Sequence, residues 1–217
     1  MLYLVVYLRV FLCYDDAKAG RIPERRHGMA KKEDLRVVKT KRNIRHSFIR
    51  LLHQKSFAAI TVQDILDEAL INRTTFYRYY DSKYYLAKSL SEEFLRKYEE
   101  LLDFSLTHRS DAARLFDRID HMASAFYDDR MSLLALWKIR TDDIDLYGSM
   151  EDMMREKFRS FLAKSCGPED DLEYQTMIMA GLILSSFRYL MESDEKLSVK
   201  ELNQQAGSFF SRNFIQA

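Results

Sequence analysis

Between Met29 and Tyr147 the chain contains neither glycine nor proline. Sheets need a reversal every few residues, and those reversals draw on Gly and Pro for backbone conformations that other residues resist. So long a stretch without either argues against a sandwich, a barrel or a doubly wound sheet, and leaves helices joined by short breaks. The whole chain of 217 residues has six Gly and two Pro, and its 47% apolar and 31% charged residues are those of a globular protein. The predicted fold class is all-α. Two cysteines, Cys13 and Cys166, cannot make a disulfide framework, which suits a reducing cytosol.

The net charge of +1 conceals an asymmetry. Residues 29–83 carry 12 Lys and Arg against 6 Asp and Glu, whereas residues 84–217 carry 17 against 24. A basic first third joined to an acidic remainder fits a nucleic-acid reader with a separate second domain. Chance clustering on solvated helix faces is the bland alternative.

Met1 to Tyr14 is apolar apart from Arg9, Asp-free and too short to span a bilayer. It lacks a basic leader and a small-residue cleavage site, so it makes a poor secretory signal. Val10-Phe11-Leu12 before Cys13 argues against a lipoprotein signal. Residues 15–28 have the composition of a linker, and Met29-Ala30-Lys31-Lys32 reads as a natural start. Codons for Glu24-Arg25-Arg26 can spell a ribosome-binding stretch ahead of it. Residues 1–28 are therefore expected to be a non-native or disordered extension. The rival is a membrane-associated helical interaction protein that uses the apolar segment.

Lys39 to His53 places Ile44, Phe48, Leu51 and Leu52 on one face and Lys41, Arg42, Arg45 and Arg50 elsewhere, an amphipathic helix with a basic outer side. Thr61 caps a second helix, with Asp64 as an acidic capping-box partner and Val62, Ile65, Leu66 and Ala69 as its buried stripe. Leu70-Ile71 make a tight turn, and Asn72 caps a short third helix over Arg73 to Tyr80. A long helix is predicted from Lys83 to Phe104. Further helices follow at Asp111–Asp128, Met131–Ile139, Ser149–Lys164, Asp170–Met191 and Ser198–Phe214, the last with a Ser198/Glu201 capping box.

Two short helices joined by a tight turn beside a basic helix make a helix-turn-helix. At 100° per residue, Phe76 and Tyr80 share one face of the second short helix, while Thr74, Thr75, Tyr77 and Arg78 point away from it. Its N-terminal end, with Arg73 and Thr74, is the part that enters the major groove.

Here the sequence resembles a known family. Thr61-Val62-Gln63-Asp64-Ile65 and the run from Ala69 through Leu70-Ile71-Asn72-Arg73-Thr74-Thr75-Phe76-Tyr77-Arg78-Tyr79-Tyr80-Asp81-Ser82 to Lys83 look like the signature of tetracycline-repressor-like (TetR family) regulators. The likeness covers roughly residues 40–90, and the chain is also similar to a Firmicute-type subgroup that includes dihydroxyacetone-kinase-operon regulators. It implies that Thr61 and Gln63 touch phosphates, with Gln63 also near a base. Arg73 and Thr74 would read base edges, and Thr75, Tyr77, Tyr79 and Lys83 would hold phosphates, a division in which phosphate contacts position and groove contacts specify. Core packing is the plain alternative for Tyr79 and the preferred reading for Tyr80. The family usually has Gly where Leu70 stands and near Ser56. A non-Gly residue in the left-handed conformation costs about 1–2 kcal/mol, so this turn is either strained or differently shaped.

The resemblance extends to the second domain only in its helices. It implies that the last two long helices pair with a partner's in a homodimer. The run Met177 to Leu184 is wholly apolar or Gly, and an all-round apolar helix must be covered on every side. Met177, Ala180, Gly181, Leu184 and Ser185, with Leu202, Ala206, Phe209 and Phe210 on the final helix, are the expected interface; a monomeric bundle core is the alternative. An effector pocket is implied between these helices, with His121, Phe126, Tyr127, Trp137, Met153, Met154, Tyr174 and Phe187 as candidate lining, each more often an ordinary core residue than a ligand contact.

His108, His121 and Cys166 lack zinc-ligand spacing, so no metal is expected. No nucleophile elbow, phosphate loop or metalloprotease motif occurs, and neither enzymatic activity nor a cofactor is expected. The reading is a helix-turn-helix DNA-binding domain at 29–84 and a helical effector-binding and dimerisation domain at 85–217. The expected protein is a cytoplasmic bacterial regulator, repressor rather than activator, that binds a palindromic double-stranded operator as a homodimer and answers to a small molecule.

Overall fold

A computed structural model of the chain describes residues 35–107, 112–163, 167 and 171–214. The expectations for residues 1–28, including both the start-site and the membrane readings, lie outside the described residues, as do His108 and Cys166. The described residues form helices and no strand. In chain order these are α1 (Leu35–Gln54), α2 (Val62–Ala69), α3 (Arg73–Tyr77), α4 (Lys83–Thr107), α5 (Ala112–Asp128), α6 (Arg130–Leu136), α7 (Leu146–Leu162), α8 (Leu172–Glu192) and α9 (Val199–Phe214). No helix among them is long and apolar enough to cross a membrane.

Most boundaries fall within three residues of the sequence expectation. Two differ more. α1 starts four residues before Lys39, at Leu35, an exposed turn whose side chains leave no periodic signal. α3 ends at Tyr77 rather than Tyr80, because the chain tightens there: the Tyr79 amide donates to the Phe76 carbonyl at 2.9 Å, an i→i+3 bond.

The helices divide into two compact units. The first comprises residues 35–94 together with Met131–Leu146, and the second comprises Leu95–Arg130 with residues 147–214. The division falls inside α4, between Phe94 and Leu95, rather than ahead of Tyr85.

In the first unit Ile44 and Phe48 of α1, Ile60, Ile65 of α2 and Phe76 of α3 are fully buried. Each such side chain contributes roughly 1.5–3 kcal/mol relative to exposure. The Phe57 ring meets Phe48 edge-on at 6.2 Å and Tyr84 at 5.1 Å, and so fills the junction between α1 and α4. Met131–Leu146 adds Leu133, Leu136, Trp137 and Ile139 to the buried set, and the His53 ring bonds the Met131 carbonyl at 3.0 Å.

The second unit is centred on three aromatic rings. Phe187 lies 5.7 Å from Tyr98 and 5.5 Å from Phe126, and Tyr98 and Phe126 are 6.5 Å apart edge-on. Such pairs add about 0.5–1.5 kcal/mol each beyond the area they bury.

Candidate nucleic-acid interface

The joints of the helix-turn-helix are built from short polar side chains. Thr61 caps α2: its hydroxyl accepts from the Asp64 amide at 3.1 Å, while the Asp64 carboxylate accepts from both the amide and the hydroxyl of Thr61 at 2.7 Å. Lys55 adds a 2.8 Å ion pair to the same carboxylate. The Lys55 hydrogen bond, followed by those from Thr61, holds the Asp64 carboxyl well below the usual carboxylate range.

The turn takes the strained of the two shapes open to it. Leu70 sits at φ 52° and ψ 46°, the one non-glycine residue with positive φ among those described, and its side chain is 92% exposed. Its amide bonds the Asp67 carbonyl at 3.3 Å and the Ile71 amide bonds the Leu66 carbonyl at 3.1 Å, the paired pattern that closes a helix on a left-handed residue. The Asn43 side chain on α1 donates to the Ala69 carbonyl at 2.6 Å and ties the turn to the first helix. Asn72 then caps α3, its oxygen accepting from the Thr75 amide and hydroxyl, each at 2.8 Å.

This framework fixes which side of α3 faces out. Phe76 and Tyr80 are buried, with rings 5.9 Å apart. Arg73, Thr74, Tyr77 and Arg78 are exposed, and the Arg73 guanidinium lies over the Tyr77 ring at 5.8 Å. Tyr79 is half-buried with the Lys41 ammonium 5.8 Å over its ring, so it combines the packing and surface readings. Thr61 and Gln63 are exposed on the first turn of α2, where the Gln63 amide donates to Asp67 at 2.8 Å. Thr75 is half-buried, and its hydroxyl is already engaged by Asn72.

Lys83, expected at a phosphate, is bonded within the chain. Its ammonium donates to three backbone carbonyls, Phe57 at 2.9 Å, Ala58 at 3.1 Å and Ile60 at 2.6 Å, and lies 4.8 Å over the Phe57 ring. An ammonium has three donors, and all three are taken. Desolvation pulls its pKa down, with the charge of Asp64 opposing. The expectation treated Lys83 as a cation at a helix start; only the fold shows the carbonyls of the α1–α2 connection converging there. Part of the basic face of α1 is likewise paired internally, Arg45 with Glu93 and Arg50 with Glu68 at 2.9 Å. Lys39 and Arg42 remain exposed on α1.

In the second unit a cavity of about 110 Å³ is lined by side chains of α4, α5, α7, α8 and α9. Of the eight residues expected around an effector, Met154 and Phe187 line it, and Phe126 packs behind Phe187. The other five do not. Trp137 is buried within the first unit, because Met131–Leu146 packs there. His121 and Tyr174 are exposed, Met153 is half-buried without lining the cavity, and Tyr127 turns its hydroxyl to the carbonyls of Ser193 and Asp194 at 3.1 and 3.0 Å. Tyr98 is the principal lining residue the sequence did not single out; its position on the buried stripe of α4 made it look like core alone.

The expected dimer residues also separate. Ala180 and Leu184 are buried in the chain's own core, at 0% and 2% exposure, and Leu202 lines the cavity. Met177, Gly181 and Ser185 instead form an exposed row on α8, at the i, i+4 and i+8 spacing that keeps one face outward. Ala206 is half-buried on α9, and the side chains of Phe209 and Phe210 lie outside the described residues. No group of three or more His, Cys, Asp or Glu capable of holding a metal occurs among the described residues.

Residues 47–90 match the sequence model of the bacterial regulatory proteins, tetR family. No curated protein matches the chain in sequence. Among solved structures, it is similar to a TetR transcriptional regulator from Streptococcus agalactiae 2603V, at 21% identity and a TM-score of 0.54, over 80% of this chain and 94% of that one. It is also similar to a transcriptional regulator of the TerR/AcrR family from Aquifex aeolicus VF5, at 18% identity and a TM-score of 0.50, over 81% and 99%. A gamma-butyrolactone receptor (ArpA-like protein) aligns at 13% identity and a TM-score of 0.52, over 82% and 97%. These likenesses show the fold, and the sequence match reaches the family rather than a subgroup within it. Residues 47–90 thus form a domain of the bacterial regulatory proteins, tetR family.

Proposed function

We propose that the protein is a homodimeric repressor that binds a palindromic operator through α3 and leaves it when a small molecule enters the second unit. The observation that carries this is the outward row Arg73, Thr74, Tyr77 and Arg78 on a helix whose opposite side is anchored by Phe76 and Tyr80. Arg73 and Thr74 at the N-terminal end read base edges, the Arg73 fork suiting O6 and N7 of guanine. Thr61, Gln63, Thr75, Tyr77 and Tyr79 lie alongside as phosphate contacts, and Lys83 holds the connection on which they stand.

A helix-turn-helix monomer covers one half-site, so a palindrome requires two copies at a fixed spacing. Ligand binding that favours another spacing lowers operator affinity by shifting the population of dimer states. Duplexes selected from a random pool by the full-length protein are expected to show a palindrome. Recovery of no shared sequence, or of an unpaired half-site, counts against the reading.

The exposed row on α8 supplies the dimer test. A Cβ at Gly181 would meet nothing within 4 Å in the protomer. Gly181→Leu therefore leaves the protomer's own packing undisturbed, and any effect reports a partner helix close by. Sedimentation is expected to show loss of dimer together with loss of operator binding. An intact dimer of normal affinity would move the interface away from Gly181.

A further inference from the structure

The chemistry of the cavity in the second unit limits what can occupy it. Its lining includes Leu101 and Leu102 of α4, Met154 and Phe158 of α7 and Phe187 and Leu190 of α8. No carboxylate, ammonium, guanidinium or imidazole stands among the described residues that line it. Two serines do, but each hydroxyl is turned onto its own helix: Ser105 donates to the Leu101 carbonyl at 2.7 Å, and Ser186 to the Leu182 carbonyl at 2.8 Å. Tyr98 is different. It is 1% exposed, and its hydroxyl donates to the Met154 sulfur at 3.9 Å. A thioether is a weak acceptor, so an oxygen acceptor brought to that hydroxyl would displace it.

An ion placed here would lose its hydration and gain no counter-charge, a penalty that excludes carboxylates and ammonium compounds. A neutral apolar molecule meets no such penalty and gains contacts with the apolar side chains of the lining. The volume of about 110 Å³ is of the same order as the ~150 Å³ apolar cavities known to stay dry and admit benzene. We propose that this cavity binds a small neutral molecule of the size of a substituted benzene, apolar except for one acceptor that takes the hydrogen bond of the Tyr98 hydroxyl. That the ligand then controls DNA binding rests on the function proposed above; the ligand class does not.

Isothermal titration of the full-length protein with toluene, acetophenone and benzoate at pH 7 tests this. Toluene and acetophenone are expected to bind at micromolar to millimolar concentration, acetophenone more tightly, and benzoate not measurably. Tyr98→Phe should remove the acetophenone advantage, a loss of about five- to tenfold, and leave toluene unchanged. Ala123→Leu and Ser186→Leu, each projecting bulk into the space from a different helix, should weaken toluene more than tenfold with helicity retained. Benzoate binding as well as toluene, failure of both neutral compounds to bind, or unchanged affinity in both filled variants that retain their helicity would overturn the proposal. A gel-shift arm with the selected duplex separates the two readings. Acetophenone binding without release of DNA would remove the effector role and leave the ligand class standing.

Discussion

Each unit has an apolar core and capped helix ends, but the regions that bear function, the helix-turn-helix of the first unit and the cavity of the second, rest on different forces. At the joints of the first, helix ends are held by directional bonds: Thr61 with Asp64, Asn72 with Thr75, Asn43 with the Ala69 carbonyl, and Lys83 with three carbonyls at once. In the second, the rings of Tyr98, Phe126 and Phe187 pack around an apolar cavity whose serines bond only to their own backbone. Hydrogen bonds weaken steeply when bent, so they specify angles between helices. Apolar contact is non-directional and constrains orientation less. A surface that must meet base edges needs the first kind of constraint. An interior that is to admit a guest and repack around it is better served by the second.

The largest expected effect breaks the first unit from inside. Phe76→Ala removes a fully buried ring from beneath α3 and should cost about 3–5 kcal/mol of stability. Urea denaturation followed by amide exchange would then show residues 35–94 opening first, with the second unit still protected. Simultaneous loss of both would mean that the units unfold as one.

The two cations beside α3 sharpen the contrast between positioning and reading. Arg73→Ala should cost about 1–3 kcal/mol in operator binding and relax preference at one base pair per half-site, with thermal stability unchanged. Lys83→Ala should reverse that pattern. It leaves three carbonyls without their donor and should destabilise the fold by about 1–3 kcal/mol. Base preference should persist. If instead Lys83→Ala reduces the salt dependence of DNA binding by about one unit per subunit and stability holds, Lys83 is a phosphate contact after all.

Acid should act at the α2 cap, a smaller effect. Asp64 has a lower pKa folded than unfolded, because Lys55 and Thr61 stabilise its charged form. The stability it contributes is fully present above its unfolded pKa of about 3.9 and is lost as pH falls below that value toward the folded one. Asp64→Asn should flatten the acid limb of a melting-temperature profile below about pH 4, while leaving the profile above pH 6 parallel to the parent's. An unchanged acid limb would remove Asp64 from the account. The smallest effect should be a gain: Leu70→Gly relieves the left-handed strain at little loss of packing, and the unfolding free energy from urea denaturation should rise by about 0.5–1 kcal/mol.

Much of the first unit was legible because its determinants lie within a few residues of one another. The spacing of Ile44 and Phe48, the caps at Thr61 and Asn72, and the opposition of Phe76 to Thr74 follow from helical periodicity and local hydrogen-bond chemistry. The departure at Leu70 could be read as a choice between strain and a different turn, but the left-handed φ of 52° came only with the structure. The second unit was legible as helices and little more. Which of Met154, Tyr98, Trp137 or Tyr174 borders a cavity depends on contacts between residues far apart in the chain, and periodicity marks only that a side chain is buried, not against what.

By itself, then, the sequence determined the helical fold class, the helix-turn-helix and the side of α3 that faces outward, since each rests on interactions within one or two turns. Tertiary structure alone decided three things: the capture of the Lys83 ammonium by three carbonyls, the assignment of Met131–Leu146 and Trp137 to the first unit, and the turning of Ala180 and Leu184 into the core with Gly181 left outside. Each of these depends on which distant backbone or side chain occupies the adjoining space. A buried stripe or a basic residue is compatible with many such neighbours, and close packing selects one.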